Sequence, residues 1–163
     1  MKTKAKLLVS ACLLGRPCRY DGGSCPSDVV NALSDRAEWV PVCPEVMGGL
    51  PTPRVPCERQ KEGGILAKDG NWRTEEYRKG AEEAARIARE NGCRAALLKE
   101  KSPSCGVHCI YDGSFGGRLI PGMGLAAEYL RAAGIAVYSE TDLPDKAEEM
   151  FSVAAGGKDE RGN

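Results

Sequence analysis

Three cysteines each follow a short apolar segment, at the point where a predicted strand ends. They are Cys12 in Ser-Ala-Cys, Cys43 in Cys-Pro-Glu and Cys105 in Ser-Pro-Ser-Cys-Gly. Because the carboxyl ends of parallel strands open onto one crevice, where ligands bind, these thiols are expected to meet there. Three thiols at one crevice make a metal or iron–sulfur site, and three rather than four leave one coordination position for a substrate.

Three polar residues lie next to these cysteines in the chain. Glu45 is two residues beyond Cys43, and Ser102 and Ser104 flank a proline just before Cys105. A carboxylate, hydroxyls and a metal at one place are the groups that activate water or move a proton. The alternative interpretations are a merely solvated Glu45 and a set of reduced cysteines without a function.

The other cysteines have no predicted strand end to bring them to the crevice. Cys93 lies between a helix and a strand, so a buried position at the opposite edge of the sheet is expected. Four more lie in loops on the side of the site and could approach it: Cys18, Cys25, Cys57 and Cys109. Only Cys105 and Cys109 have roughly the spacing of a zinc-binding pair. Zinc and an iron–sulfur cluster both stay open at this point, since thiolates bind both.

Two further features are weaker indications of a site. His108 is the only histidine; a surface loop position is expected for it, and metal ligation is the alternative. The turn Gly122-Met123-Gly124 precedes a predicted helix and could bind an anion through free N–H groups. The full dinucleotide and P-loop spacings are absent, so no nucleotide site is predicted.

Composition and charge limit the function classes. The 163 residues suffice for one domain, and 23 basic residues balance 23 acidic ones, so the formal net charge is zero. This balance argues against a strong general attraction to nucleic acid or to an anionic membrane. No apolar run is long enough to span a bilayer, and the N-terminal apolar segment is too short for a signal peptide. A cytoplasmic protein is predicted, with its oligomeric state left open and a monomer as the simplest case.

Strands alternate with helices along the chain. This alternation predicts an α/β, three-layer, Rossmann-like fold with a mainly parallel sheet in a single domain over 1–155, and a disordered polar tail over 156–163. The predicted strands span 6–11, 38–42, 95–98 and 135–139. Predicted helices run from a Ser27 cap to about 35, from a Thr74 cap to 91, over 125–133, and from an Asp142 cap to 153. Four prolines and two glycines in 44–58 predict an irregular loop that walls a pocket.

The order of the motifs resembles that of the bacterial thiouracil desulfurase family. The resemblance covers about residues 6–140. The matching motifs are Ser-Ala-Cys-Leu-Leu-Gly at 10–15, Arg-Tyr-Asp-Gly at 19–22, Cys-Pro-Glu at 43–45, Gly-Gly-Leu at 48–50, Pro-Arg-Val-Pro at 53–56, Ser-Pro-Ser-Cys-Gly at 102–106, Tyr-Asp-Gly-Ser-Phe at 111–115, Gly-Met-Gly-Leu-Ala-Ala at 122–127 and Gly-Ile-Ala-Val-Tyr-Ser-Glu at 134–140.

The resemblance implies a [4Fe-4S] cluster whose fourth iron is open, with ligands that map onto Cys12, Cys43 and Cys105. It also implies a catalytic carboxylate and serine, which map onto Glu45 and Ser102. The implied reaction is the non-redox removal of sulfur from 2-thiouracil, giving uracil and hydrogen sulfide. The open iron would act as a Lewis acid on the thione sulfur, and the carboxylate would take a proton from the attacking water.

Ser104 and Arg54 are expected to contribute to substrate binding, with Arg54 either orienting the pocket or pairing with Glu58. The loop over 47–58 could then close over the base. Cys18 and Cys57 fall inside motifs that do not call for cysteine, and Cys109 also lies near the site. The rival hypothesis is therefore a non-catalytic or regulatory protein with a zinc or a closed four-cysteine cluster.

Overall fold

The computed structural model describes residues 4–157. The strands are β1 (Ala5–Ser10), β2 (Ala37–Val42), β3 (Cys57–Arg59), β4 (Ile65–Ala67), β5 (Ala95–Leu98), β6 (Cys109–Tyr111), β7 (Leu119–Pro121) and β8 (Ala136–Ser139). The α-helices are α1 (Asp28–Ala32), α2 (Pro44–Met47), α3 (Thr74–Glu90), α4 (Leu125–Ala132) and α5 (Ala147–Ala154), and 3-10 turns cover Ala11–Leu14, Ser34–Arg36 and Glu140–Asp142.

A four-stranded parallel sheet in the order β2-β1-β5-β8 forms the centre of the fold. Strands β5 and β8 are buried throughout and β1 is buried over its last four residues, as expected when helices cover both sides of a parallel sheet, whereas the edge strand β2 is only partly buried. Leu7 and Val9 pack with residues of α1 and α5, whereas Leu8 packs with alanines of α3 and with Leu130 of α4. The predicted α/β three-layer fold with a mainly parallel sheet is therefore confirmed.

The helix starts agree only in part with the predicted caps. Ser27 does cap α1, since its hydroxyl accepts a hydrogen bond from Val30 N at 3.3 Å. Thr74 does not cap α3: Arg73 is the N-cap, and the Thr74 hydroxyl accepts from Ile65 N at 3.0 Å instead. The prediction failed because the hydroxyl serves the neighbouring hairpin rather than its own helix.

Asp142 does not cap the last helix either. Its carboxylate accepts from Ser139 N at 2.9 Å and completes a capping box in the 3-10 turn that follows β8. The helix α5 starts five residues later, at Ala147. Gly156 and Gly157 end this helix through bonds to Val153 O and Ser152 O. The rest of the predicted disordered tail, 158–163, lies outside the described residues.

Two short antiparallel hairpins, β3-β4 and β6-β7, were not predicted as hairpins. The segment 44–58 was predicted as wholly irregular, but it begins with the four residues of α2 and ends in β3. Pro44 is compatible with a helix because it occupies the first turn, where its missing N–H costs nothing. Among residues 4–157, the helices are all too short or too polar to cross a membrane.

Close backbone contact between α2 and α3 fixes the segment that follows Cys43. A Cβ atom added at Gly48 would collide with Glu76 O, and one added at Gly80 would collide with Pro44 O. Each backbone therefore occupies the space that a side chain on the other would need. This contact holds α2 against the longest helix of the protein.

Replacing Gly80 with alanine is expected to destabilise the protein by about 1–3 kcal/mol, because the backbone of α2 would have to move. The sign of this change in the free energy of unfolding is informative, because replacing glycine with alanine in an isolated helix would stabilise it by up to about 1 kcal/mol. Urea unfolding measures the effect, and Lys79→Ala at the neighbouring exposed position is the control. A Gly80→Ala protein as stable as the parent would contradict the close contact.

Candidate active site

A cavity of about 560 Å³ opens at the carboxyl ends of β1, β2 and β5. Ligand pockets in proteins are commonly of this size. Its walls include the two predicted catalytic residues, Glu45 and Ser102, and Arg54. They also include six cysteines: Cys12, Cys18, Cys25, Cys43, Cys57 and Cys105.

The three strand-end cysteines reach this cavity in three different ways. Cys12 lies in the 3-10 turn directly after β1, Cys43 is the N-cap of α2, and Cys105 lies in the loop after β5. The turn is held in place because Cys25 N donates to Cys12 O at 3.0 Å. The topology thus brings all three to one cavity, while their role as metal ligands stays a prediction.

Burial raises the pKa of each of these thiols. It raises the pKa of Cys12 to about 12 and that of Cys43 to about 11, and neighbouring thiols add to the effect. The pKa of Cys105 lies well above its usual value, again through burial first and then through Glu45, Cys12 and Cys43. Burial disfavours the charged thiolate, so a thiolate in this cavity needs a positive charge bound next to it. Iron would supply that charge, since metals bind cysteines in their deprotonated form. The donor set therefore fits an iron–sulfur cluster.

Ser102 organises the loop that carries Cys105. Its hydroxyl oxygen accepts hydrogen bonds from Ser104 N and Cys105 N, both at 3.0 Å. Gly124 lies against this loop so closely that a Cβ atom there would collide with the backbone of Ser104. Ser102 also lines the cavity, so its hydroxyl hydrogen remains available to donate to a bound molecule.

The buried side chain of Glu100 also shapes the site, although nothing in the sequence indicated this role. Its carboxylate oxygen Oε1 accepts from the N–H groups of Val107, His108 and Cys109 at 2.8, 2.9 and 3.1 Å. Burial alone would raise the pKa of Glu100, but these hydrogen bonds lower it below its usual value. The buried carboxylate thereby ties the segment after Cys105 to the end of β5.

Glu45 and Arg54 form a buried ion pair in the cavity wall. Glu45 Oε2 lies 2.9 Å from Arg54 Nη2, and the side chains are only 13% and 5% exposed. The same nitrogen donates to Cys18 O at 3.0 Å. The suggested pairing of Arg54 with Glu58 is therefore wrong, because Arg54 pairs with Glu45 instead. Glu58 instead accepts from two N–H groups of the 112–118 loop.

Several predicted or possible site residues do not line the cavity. Ser104 is fully buried behind the wall, and its hydroxyl has no hydrogen-bond partner among the described residues. The half-exposed ring of His108 lies 2.9 Å from the Asp142 carboxylate, on the surface. Cys93 is buried in the core with residues of α3, as expected, and Cys109 lies on β6.

The Gly122–Gly124 turn does not offer the free N–H groups that anion binding would need. Gly122 N donates to His108 O at 3.1 Å, and Gly124 N donates to Gly106 O at 2.8 Å. Both donors are thus used in holding the loop after Cys105. The suggested anion site is wrong, and the turn has a structural role instead.

The cavity was also searched for a site that would hold a single metal ion. Within residues 4–157, no group of three His, Cys, Asp or Glu side chains is arranged to hold a single metal ion. A cluster of four irons is larger than one ion, so its ligands must stand further apart around the cavity.

Three comparisons bear on this site. A family model described as 2-thiouracil desulfurase matches residues 7–142. An uncharacterized protein of Bacillus subtilis, YbbK, is 40% identical over an alignment of 148 residues that covers 85% of this chain and 98% of that protein. A solved structure, the [4Fe-4S]-dependent thiouracil desulfidase TudS, is 48% identical and superposes with a TM-score of 0.81, covering 89% of this chain and 97% of TudS.

Proposed function

This chain belongs to the 2-thiouracil desulfurase family, and we propose that Cys12, Cys43 and Cys105 hold the [4Fe-4S] cluster on which its desulfuration depends. The reaction replaces the C–S bond of the thiolated base with a C–O bond to water, giving uracil and hydrogen sulfide without net oxidation or reduction. The observation that carries this proposal is the common cavity of the three strand-end cysteines and the buried Glu45.

The cluster, when bound, supplies a Lewis-acidic iron that favours the soft thione sulfur over water and makes the ring carbon electrophilic. The protein contributes three thiolates rather than four, which leaves a coordination position free for that sulfur. It also contributes walls that exclude bulk water, because Cys105 and the neighbouring Ser10 are almost completely buried.

Glu45 is proposed as the group that moves protons. Its carboxylate takes a proton from the attacking water and later returns one to the products. Arg54 fixes the position of this carboxylate, since the pair is buried and the guanidinium is itself held by Cys18 O. Arg54 thus serves substrate binding indirectly, by orienting the pocket.

Ser102 is proposed to donate a hydrogen bond from its hydroxyl to the substrate. Two backbone N–H groups already fix the oxygen, so the hydroxyl is held in place before the base arrives. Ser104 stays a prediction as a substrate-binding residue, because its buried hydroxyl would need the loop to move before it could reach a ligand.

The test is turnover by protein purified and reconstituted under argon. Incubation with a panel of thiolated bases and nucleosides is expected to release sulfide and the oxygenated base in equal amounts from 2-thiouracil. The protein should be brown and contain iron and sulfide in equal amounts. A colourless protein that contains zinc and releases no sulfide would contradict the proposal and support the regulatory alternative.

A further inference from the structure

An exposed tyrosine stands in the wall of the cavity. Tyr20 lines the cavity, and 42% of its surface is accessible to solvent. The other large apolar residues of 4–157 with a similar exposure do not line it; they are Val46, Val55, Trp72 and Leu119. An aromatic ring that stays accessible beside a ligand cavity can contact a bound ligand with its face. The roles proposed for Glu45 and Ser102 make no use of this ring.

Two further tyrosines line the cavity, but less of each is accessible. Tyr77 is only 2% exposed, because it packs in the core between α3 and the β3-β4 hairpin. Tyr111 lies on β6 and is half-buried. Of these three aromatic residues in the wall, Tyr20 therefore has the most surface to offer a ligand.

The backbone at Tyr20 is fixed to the segment that carries Arg54. Tyr20 O accepts a hydrogen bond from Arg54 N at 2.6 Å, and Cys18 O accepts one from Arg54 Nη2 at 3.0 Å. The same guanidinium pairs with Glu45 in the cavity wall. Arg54 thus ties the exposed tyrosine and the proposed proton-transfer group to one another, so their relative positions are set before a base arrives.

A guanidinium lies over the ring of Tyr20. Arg19 Cζ is 5.9 Å from the ring centre, and Arg19 Nη2 lies 3.8 Å from Asp21 Oδ2. Such a contact between a cation and an aromatic face favours one orientation of the ring. An aromatic ring has two faces, so a cation on one of them leaves the other for a flat ligand.

We propose that Tyr20 is a specificity-determining residue, and that its ring stacks on the face of the thiolated base. The inference rests on the proposed desulfuration, in which the contacts assigned to the sulfur and to Ser102 hold only the edge of the base. A contact with the face fixes the plane of the ring as well, and thereby its orientation toward Glu45. Stacking also favours flat, conjugated bases over saturated rings that carry the same polar groups.

The experiment is equilibrium dialysis of the reconstituted enzyme under argon with uracil and with dihydrouracil. The two compounds have the same N–H and carbonyl groups, but dihydrouracil has a saturated, puckered ring that stacks poorly. Tyr20→Leu is expected to weaken uracil binding about tenfold and dihydrouracil binding less than about twofold, because it removes the stacking surface alone.

Two variants serve as controls for this experiment. Tyr20→Phe keeps the ring and should bind both compounds like the parent. Trp72→Leu removes another exposed aromatic ring, which lies outside the cavity, and should change neither affinity.

Equal weakening of both compounds in Tyr20→Leu, at equal iron content, would overturn the proposal, and so would parent-like binding of uracil. A loss in Tyr20→Phe or Trp72→Leu as large as that in Tyr20→Leu would also overturn it. If Tyr20→Leu does not hold the cluster, Tyr20→Trp is the second test: it must favour uracil over dihydrouracil at least as strongly as the parent, and a weaker preference contradicts the proposal. Failure of the parent to turn over 2-thiouracil, with the selective loss of uracil binding intact, would instead refute the proposed function and leave the stacking role standing.

Discussion

Replacement of Cys12, Cys43 or Cys105 with alanine is expected to abolish cluster binding and, with it, sulfide release from 2-thiouracil. Each change removes one of three thiolates, and the remaining two cannot hold a cluster that already lacks a fourth protein ligand. Iron content after reconstitution should fall to less than about a tenth of the parent's, and turnover should fall below detection.

Cys93→Ala is the matched control, because Cys93 is also buried but lies in the core away from the cavity. This variant should lose some stability, through the small cavity that it creates, and should keep its full iron content. Full iron content in any variant of the trio would refute that ligand assignment. Loss of iron in Cys93→Ala would show that general destabilisation, rather than ligand removal, governs cluster retention.

Glu45→Gln is expected to keep the cluster and lower the turnover of 2-thiouracil by about 10²- to 10⁴-fold, the usual contribution of a general acid or base. The amide has almost the same shape as the carboxylate and can still accept from Arg54, but it cannot take a proton from water. Iron content and the rate of sulfide release are measured on the same preparation.

Glu62→Gln is the control for the loss of one negative charge, since Glu62 is exposed in the β3-β4 turn. Its turnover should match that of the parent. Parent-like turnover in Glu45→Gln would rule out the proton-transfer role. Loss of iron in that variant would instead point to a structural role for the ion pair with Arg54.

The gathering of the three cysteines could be predicted because it depends on local features. Each thiol follows a short apolar strand, and a parallel sheet aligns all such strand ends at one edge. The end of the longest helix is likewise set locally, because Gly92 lies just beyond it with a φ of +69°, a backbone conformation that favours glycine. The parallel sheet and the helices that cover it could be predicted in the same way, from the alternation of strands and helices along the chain.

The partners of the charged residues could not be predicted, because they depend on contacts between distant segments. Glu100 stands between two lysines and looks solvated in the sequence, yet the fold buries it beneath the N–H groups of the next loop. Arg54 reaches Glu45 only because α2 and the irregular chain after it fold back on each other. The strands of the two hairpins have only three residues each, so they are too short to show the alternation of apolar and polar residues that identifies a strand.

The most direct measurement is a crystal structure of the anaerobically reconstituted enzyme. It should show three irons of one cluster bonded to Cys12, Cys43 and Cys105, and a fourth iron without a protein ligand that faces Glu45. A fourth thiolate from Cys18 or Cys25 on that iron, or a cluster held without one of the three, would contradict the open site on which desulfuration depends.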